Sequence, residues 1–259
     1  MRHLPDKRSL SVLLAAFLFV LGFLGTCQSQ KKASSAAAEQ AERALGEEAP
    51  SGRKLYCTRA PAEVTLDGKL EEWESADTMR LDDPGESPDP NQVKIYTLWD
   101  EKYLYIAYQV DDRYLVGYQT ERDHRALYKD DMIEVLFDPR KDATDLWLED
   151  DIVYHINVLG QVKDDRGSPE GISDAGWQSE ALFAVRYDGT LNDSTDLDRG
   201  FRVELAVPWD EIGMVPSAGM SLGINFAAGD AEGPDENLWD WCGAHPFRQP
   251  SAYGRLELK

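Results

Sequence analysis

The sequence predicts an all-β fold, a two-sheet antiparallel β-sandwich over residues 54–259, on three observations. Short segments after Lys54 alternate apolar and polar residues with a period of two. They are rich in Val, Ile, Tyr and Phe, and acidic turns bearing Gly and Pro separate them. Such alternation sends successive side chains to opposite faces of a strand, so that one face meets a core and the other meets water. About 205 residues of this pattern suit one sandwich around a single core better than two domains.

The chain begins differently. Residues 1–26 join a basic start (Arg2, Lys7, Arg8) to an apolar run from Val12 to Leu24, and read as an export signal peptide. The run is about 13 residues long against the roughly 20 that span a bilayer, which argues against a permanent transmembrane helix. Leu24-Gly25-Thr26-Cys27 resembles the lipobox of bacterial lipoproteins, where a small-residue pair precedes a cysteine that is lipidated and becomes N-terminal. That resemblance implies lipidation of Cys27. With Gln28 rather than Asp following, it also implies export to the outer membrane, the lipid being the only membrane contact. Residues 27–53 are then the lipidated cysteine and a flexible tether, because the Ala, Ser, Glu and Gln of 28–53 supply no apolar surface for a core. The root-mean-square reach of such a tether is about 30 Å.

Within residues 54–259 the elements follow in order. Val93, Ile95, Thr97 and Trp99 alternate with Lys94, Tyr96 and Leu98; the turn Asp100-Glu101-Lys102 leads into Tyr103–Val110, and the pair reads as a hairpin. Ile133-Val135-Phe137, Ile152-Tyr154-Ile156-Val158, Phe201-Val203-Leu205-Val207, Ile224-Phe226 and Leu256-Leu258 continue the period of two, and Pro208–Ile212 reads as one short helical turn. If the apolar sets of 133–137 and 152–158 face the core, Glu134, His155 and Asn157 face away and a polar row lines one outer sheet face.

The chain carries 27 Lys and Arg against 48 Asp and Glu, a net charge of −21. Residues 28–53 hold four of each sign, so the acidic excess lies in the strand-rich part. That surface repels a phosphate backbone and excludes nucleic acid as a partner. No G-x-S-x-G, phosphate loop, G-x-G-x-x-G or H-E-x-x-H occurs and the four histidines are isolated, which removes the usual support for hydrolase, kinase and zinc-protease chemistry. Carboxylates gather in turns at Asp82-Asp83-Glu86-Asp89, Asp142-Asp145-Glu149-Asp150-Asp151 and Asp193-Asp196-Asp198. They offer the hard oxygen ligands of calcium without EF-hand spacing, so a structural calcium is a candidate; no cofactor is otherwise required. With Cys27 lipidated, Cys57 and Cys242 remain as a candidate disulfide joining the two ends of the domain in an oxidising compartment.

Several stretches together resemble the family 9 carbohydrate-binding modules and their free-standing relatives in the DOMON-like superfamily. Val64-Thr-Leu-Asp-Gly-Lys-Leu-Glu-Glu-Trp73 looks like the family's opening strand and I-D-G-x-x-x-E-x-W element. Val93–Ala107 looks like its central hairpin, and Tyr128-Lys-Asp-Asp-Met-Ile-Glu-Val-Leu-Phe-Asp-Pro139 like its D-x-x-E-x-F-x-D strand. Asp188-Gly-Thr-Leu-Asn192, Asp198–Trp209 and Pro250–Leu258 resemble its later G-T-L-N, V-E-x-A-x-P-W and closing-strand elements.

The resemblance implies a jelly-roll or immunoglobulin-like sandwich that binds a glycan chain end or oligosaccharide without catalysis. In the family two aromatic rings clamp a terminal sugar, and Tyr128 and Phe247 fall at those positions, where tryptophans are usual. Glu134 matches a hydroxyl-binding glutamate; His155 falls where the family uses an arginine and Ala227 where it uses a glutamine. Asn157 and Trp241 complete the candidate carbohydrate-binding set, with Trp177 and Trp239 as further platforms. The implied role is a surface lipoprotein of polysaccharide catabolism whose partners are polysaccharides, oligosaccharides and glycan-degrading enzymes. Two rivals come with the resemblance: a glycoside hydrolase or its accessory subunit, since such modules are usually fused to catalytic domains, and a haem-binding electron carrier, since other DOMON-like domains ligate haem through Met with His or Lys, here Met132 and His155.

Overall fold

The computed structural model describes residues 51–82, 91–174, 176–232, 237–244 and 248–259. The expected export signal, Cys27, the expected tether up to residue 50, Asp83, Glu86 and Asp89 of the first acidic group, and Phe247 lie outside these residues. The described strands are β1 (Lys54–Arg59), β2 (Asp77–Asp82), β3 (Gln92–Trp99), β4 (Tyr103–Asp111), β5 (Met132–Asp138), β6 (Ile152–Asn157), β7 (Val162–Gly167), β8 (Ser173–Asp174), β9 (Leu182–Asp188), β10 (Gly200–Pro208), β11 (Ser221–Asp230), β12 (Asn237–Asp240) and β13 (Gly254–Leu258). Only three short 3₁₀ turns interrupt them among the described residues, so the all-β expectation holds.

The strands form one continuous path, β8-β7-β6-β5-β11-β13-β1-β3-β4-β10-β9, with β12 added to β11 and β2 to β3. β1 is the strand that turns the corner: Lys54–Cys57 pair with β13, whereas Thr58 and Arg59 pair with β3. Both pairings are parallel and the other pairings are antiparallel, so the expected pair of purely antiparallel sheets is corrected to a single curled, mixed sheet with two wings. The reason is topological. The first strand lies between the last strand and β3, and a long connection through β2 lets it run alongside β3, which a tight hairpin could not do.

The wings face each other over one core. Ile95, Ile106 and Val203 from one wing and Ile133, Val135, Phe137 and Ile224 from the other are fully buried, each contributing about 1.5–3 kcal/mol relative to exposure. Tyr108 of β4 crosses between them, its ring edge-on to Phe226 at 6.3 Å and its hydroxyl donating to the Glu134 carbonyl at 2.7 Å.

Two sequence motifs meet in one clamp. Buried Glu204 of β10 accepts the N–H groups of Asp67 (2.8 Å) and Gly68 (2.6 Å) with one oxygen and Trp73 Nε1–H (2.8 Å) with the other. Burial raises the Glu204 carboxyl above its ordinary value, and these three donors oppose the rise. The stretch from Val64 to Leu66, expected as the opening strand, is instead irregular backbone leading into this clamp. Gly68 sits there at φ +75°, with Arg186 where a Cβ would project.

The expected Cys57–Cys242 disulfide is also corrected, because both cysteines are free. Cys57 lies beside Leu258 in the parallel register, while Cys242 Sγ accepts the Gly254 N–H at 3.0 Å. Those β13 positions are about 13 Å apart at a rise of roughly 3.3 Å per residue, well beyond disulfide reach. Burial pushes the Cys242 thiol up to about 12.

Candidate functional site

The outer face of β5–β7 carries a charged row. Register aligns Glu134 with His155 and His155 with Lys163, and, one pleat along, Leu136 with Val153 and Val153 with Asp165. Glu134 is nearly buried, and its Oε1 lies 2.7 Å from His155 Nδ1. That geometry suits an Nδ1–H donor and leaves the Nε2 lone pair facing Arg248 Nη2 at 3.4 Å. The Arg248 guanidinium also pairs with Asp165, bonds Ser173, and stands 5.6 Å from the centre of the Trp147 ring. Burial alone would raise Asp165, but Lys163 and Arg248 hold its carboxyl below the usual carboxylate range. Two carboxylates and two bases therefore balance on a chain that is strongly acidic overall.

Apolar packing supports one end of this row: Leu136, Trp147, Val153 and Tyr253 form a separate buried cluster on the same face. At the other end Asn157 spends its side chain internally. Its Nδ2 donates to Asp130 Oδ2 (2.8 Å) and Gln119 O (2.9 Å), and its Oδ1 accepts Gln161 N–H (2.7 Å). The expectation that Asn157 contacts a ligand is thus corrected: it is fully buried and ties two loops together. Tyr128 stands in the adjacent 3₁₀ turn Leu127–Lys129, where buried Leu127 is the anchor and the Tyr128 ring is 38% exposed.

Trp241 is corrected as well. It belongs to the main core, 5.8 Å from Phe226, over a Gly254 that leaves no room for a Cβ. Trp239 is buried, and Trp177 packs edge-on to Tyr154 with Arg166 4.8 Å from its ring centre. Ala227 lies directly across from Glu134 on β11. A Met132–His155 haem pair does not fit, since Met132 is fully buried and both imidazole nitrogens of His155 are engaged.

Sequence reasoning missed Lys163, Asp165, Trp147 and Arg248. The alternation of Val162-Lys-Asp-Asp-Arg166 would have placed the first two, one strand beyond His155. Nothing local announces Arg248, which arrives from a distant loop.

A second cluster closes the far end of the same wing. Carboxylate oxygens of Asp138, Asp150 and Asp151 lie within 4.8 Å of one another, the single such group among the described residues. Asp138 was not among the expected ligands. Of the expected ones, Asp145 is bonded by Ser251 and Gln249, Asp193 by Thr195, and Asp198 by the Leu115 and Thr190 amides. Asp151 Oδ1 is buried without a hydrogen-bond partner, and Arg140 Nη1 reaches Asp150 Oδ1 at 3.2 Å. Burial, reinforced by neighbouring carboxylates, pushes Asp138 up to about 7 and Asp151 up to about 9. Three hard oxygen ligands within reach of one another, with the Asp151 Oδ1 unbonded, are a fit for calcium.

The sequence pattern of carbohydrate family 9 binding domain-like proteins matches residues 66–259. The endo-1,4-beta-xylanase C of Paenibacillus barcinonensis is 29% identical over 199 residues, 75% of this chain and 16% of the xylanase. The endo-1,4-beta-xylanase A of Thermotoga maritima is 24% identical over 198 residues, 74% of this chain and 17% of that enzyme. The chain therefore spans under a fifth of the length of these curated relatives. Among solved structures, a family 9 carbohydrate-binding module from Caldicellulosiruptor kristjanssonii in complex with cellotriose superposes with a TM-score of 0.60 at 18% identity, covering 80% of this chain and 94% of that one. Its complex with glucose gives the same TM-score and identity, with 80% and 96% covered. At such identity the likeness establishes the fold.

Proposed function

The chain belongs to the carbohydrate family 9 binding domain-like family, and on that premise we propose that the outer face of β5–β7 holds a neutral oligosaccharide without cleaving it. The observation that carries this reading is the balanced network of Glu134, His155, Lys163, Asp165 and Arg248 beside the exposed Tyr128 ring. A sugar presents C–H faces that pack on an aromatic ring and hydroxyls that need fixed donors and acceptors. A network anchored on β-strands offers both without reorganising. Solved relatives bind cellotriose and glucose, and curated relatives are xylanases, which points to β-linked glucan or xylan fragments. Two contacts of this kind, set against the cost of association, correspond to affinity in the micromolar to millimolar range. Phe247 is the second ring of the clamp on the family resemblance.

Hydrolysis is the weaker reading. Glu134 and Asp165 are each tied to a base, whereas a glycosidase needs one carboxyl free to give a proton and another free to attack or activate water. In our reading a lipid on Cys27 and the 27–53 tether hold the domain at the outer membrane, concentrating polysaccharide near glycan-degrading enzymes. Asp138, Asp150 and Asp151 take a structural calcium at the far end.

Calorimetric titration with glucose, cellotriose and xylotriose, on the full-length chain and its Tyr128→Ala and Glu134→Gln variants, tests the site. Saturable binding that is lost in both folded variants is expected. A folded wild-type chain that binds none of the three would sink the proposal.

A further inference from the structure

The loop from Asp112 to Gln119 is held more firmly than its exposure explains. Leu115 N–H donates to Asp198 Oδ2 (2.8 Å), Val116 N–H to Asp131 Oδ2 (2.6 Å), Gly117 N–H to Asn192 Oδ1 (3.0 Å) and Gln119 N–H to Asp130 Oδ2 (2.8 Å). Asn192 Nδ2 donates in return to Gly117 O (2.8 Å), and Asn157 Nδ2 donates to Gln119 O (2.9 Å). Side chains from three other parts of the chain, at 130–131, 192 and 198, thus fix four of five consecutive amides. A Cβ on Gly117 would come within 2.7 Å of Val158, so the loop is also packed closely from below.

The residue between these anchors is Tyr118, whose side chain is 64% exposed, the most exposed aromatic among the described residues. Ordering backbone costs about 1–2 kcal/mol per residue, and an exposed ring returns little of that as burial. Such rigidity around a solvent-facing aromatic is what a binding surface needs, because a preorganised ring loses little entropy when a ligand stacks on it. Its place on the molecule agrees. Asn157 ties Gln119 to Asp130, two residues from Tyr128, at the end of the β6 row Val153–His155–Asn157. The carboxamide of Gln119 and the hydroxyl of Tyr118 take no hydrogen bond among the described residues.

We propose that Tyr118 is a second stacking platform that extends the sugar site beyond its first unit, with Gln119 bonding the hydroxyls of the added sugar. This inference rests on the sugar-binding reading above. It makes the site selective for oligosaccharides of several units over single sugars and adds a specificity determinant to the Tyr128 face.

The test is calorimetric titration of the full-length chain and its Tyr118→Ala and Tyr118→Phe variants with glucose, cellotriose, cellohexaose and xylohexaose. A hexasaccharide is expected to bind the wild type about fivefold or more tightly than glucose, a factor in keeping with one added ring contact. Tyr118→Ala should abolish that gain while holding glucose affinity within about twofold, and Tyr118→Phe should retain most of it. An unchanged chain-length gain in Tyr118→Ala, or no gain in the wild type, overturns the platform and leaves the sugar site standing. A wild type that binds no sugar overturns both. Loss of glucose binding together with a fallen melting temperature in Tyr118→Ala would assign the ring to the fold and overturn the platform as well.

Discussion

Glu134 and Asp138 stand four residues apart on β5, both pointing to its outer face and both nearly buried, yet the fold treats them oppositely. Glu134 meets His155, with Arg248 and Lys163 close by, so its charge is answered within the protein. Asp138 meets Asp142, Asp150 and Asp151, and burial beside those carboxylates drives its proton affinity up. The strand itself cannot make this difference, because its alternation assigns both residues to one face. The loops laid over each end do: the loop bearing Arg248 covers one and the acidic loop from Lys141 to Asp151 covers the other. One end is electrostatically complete, while the other gathers three carboxylates within 4.8 Å of one another.

The largest test of that contrast is pH. With calcium chelated, Asp138 (about 7) and Asp151 (about 9) hold protons in the folded state that the unfolded chain releases near 4. The folded state then binds more protons, so stability is highest below about pH 4 to 5 as far as these groups decide and falls as pH rises through 7 to 9. The denaturation midpoint in urea should drop steadily between pH 5 and pH 8.5, at about 1.4 kcal/mol per pH unit for each group still below its folded value, and Asp138→Asn should flatten the slope. A midpoint that rises over this interval would contradict the buried-acid picture.

Next in size is calcium. At pH 8, calcium at about one hundred times its dissociation constant should stabilise the chelated protein by about 2.7 kcal/mol, a rise in Tm of roughly 5–10 °C for a domain of this length. Asp151→Asn should remove the response and leave sugar titrations unchanged. If calcium protects the variant equally, the ion sits elsewhere.

Smaller again is the effect of Arg248, which closes the network at the end proposed to bind sugar. Arg248→Ala should weaken cellotriose binding about tenfold, since it removes one of the two cations on buried Asp165 and frees the His155 lone pair, and it should leave the calcium response intact. Lys163→Ala should change affinity by less than about twofold, because Arg248 still satisfies Asp165. An order reversed between these two variants would move the site toward the β7 edge.

Much of the fold was legible because strands write their periodicity into the chain. The 92–99 and 103–111 hairpin, the facing of Glu134 and His155, and the buried sets of β5, β6, β10 and β11 all follow from a period of two plus turn chemistry. The candidate site was legible only in part. Tyr128, Glu134 and His155 came from motif and alternation, but Asn157 carries the same pattern and proved to be a tie between loops. Trp241 reads like any other aromatic near a chain end and proved to be core. The parallel placement of β1, the separation of Cys57 from Cys242 and the arrival of Arg248 beside His155 involve partners far apart in the chain, and no local pattern records such distances.

The sequence by itself therefore determined the all-β class, the strand positions and which face of each strand is polar, because these depend on neighbours within a few residues. Only the tertiary structure decided that β1 bridges two wings, that the two ends of β5 carry opposite electrostatics, and that Tyr118 is held out to solvent by four anchored amides. The physical reason is that burial, hydrogen-bond satisfaction and charge balance are properties of a place in space, and that place is assembled from segments whose spacing along the chain says nothing of their contact.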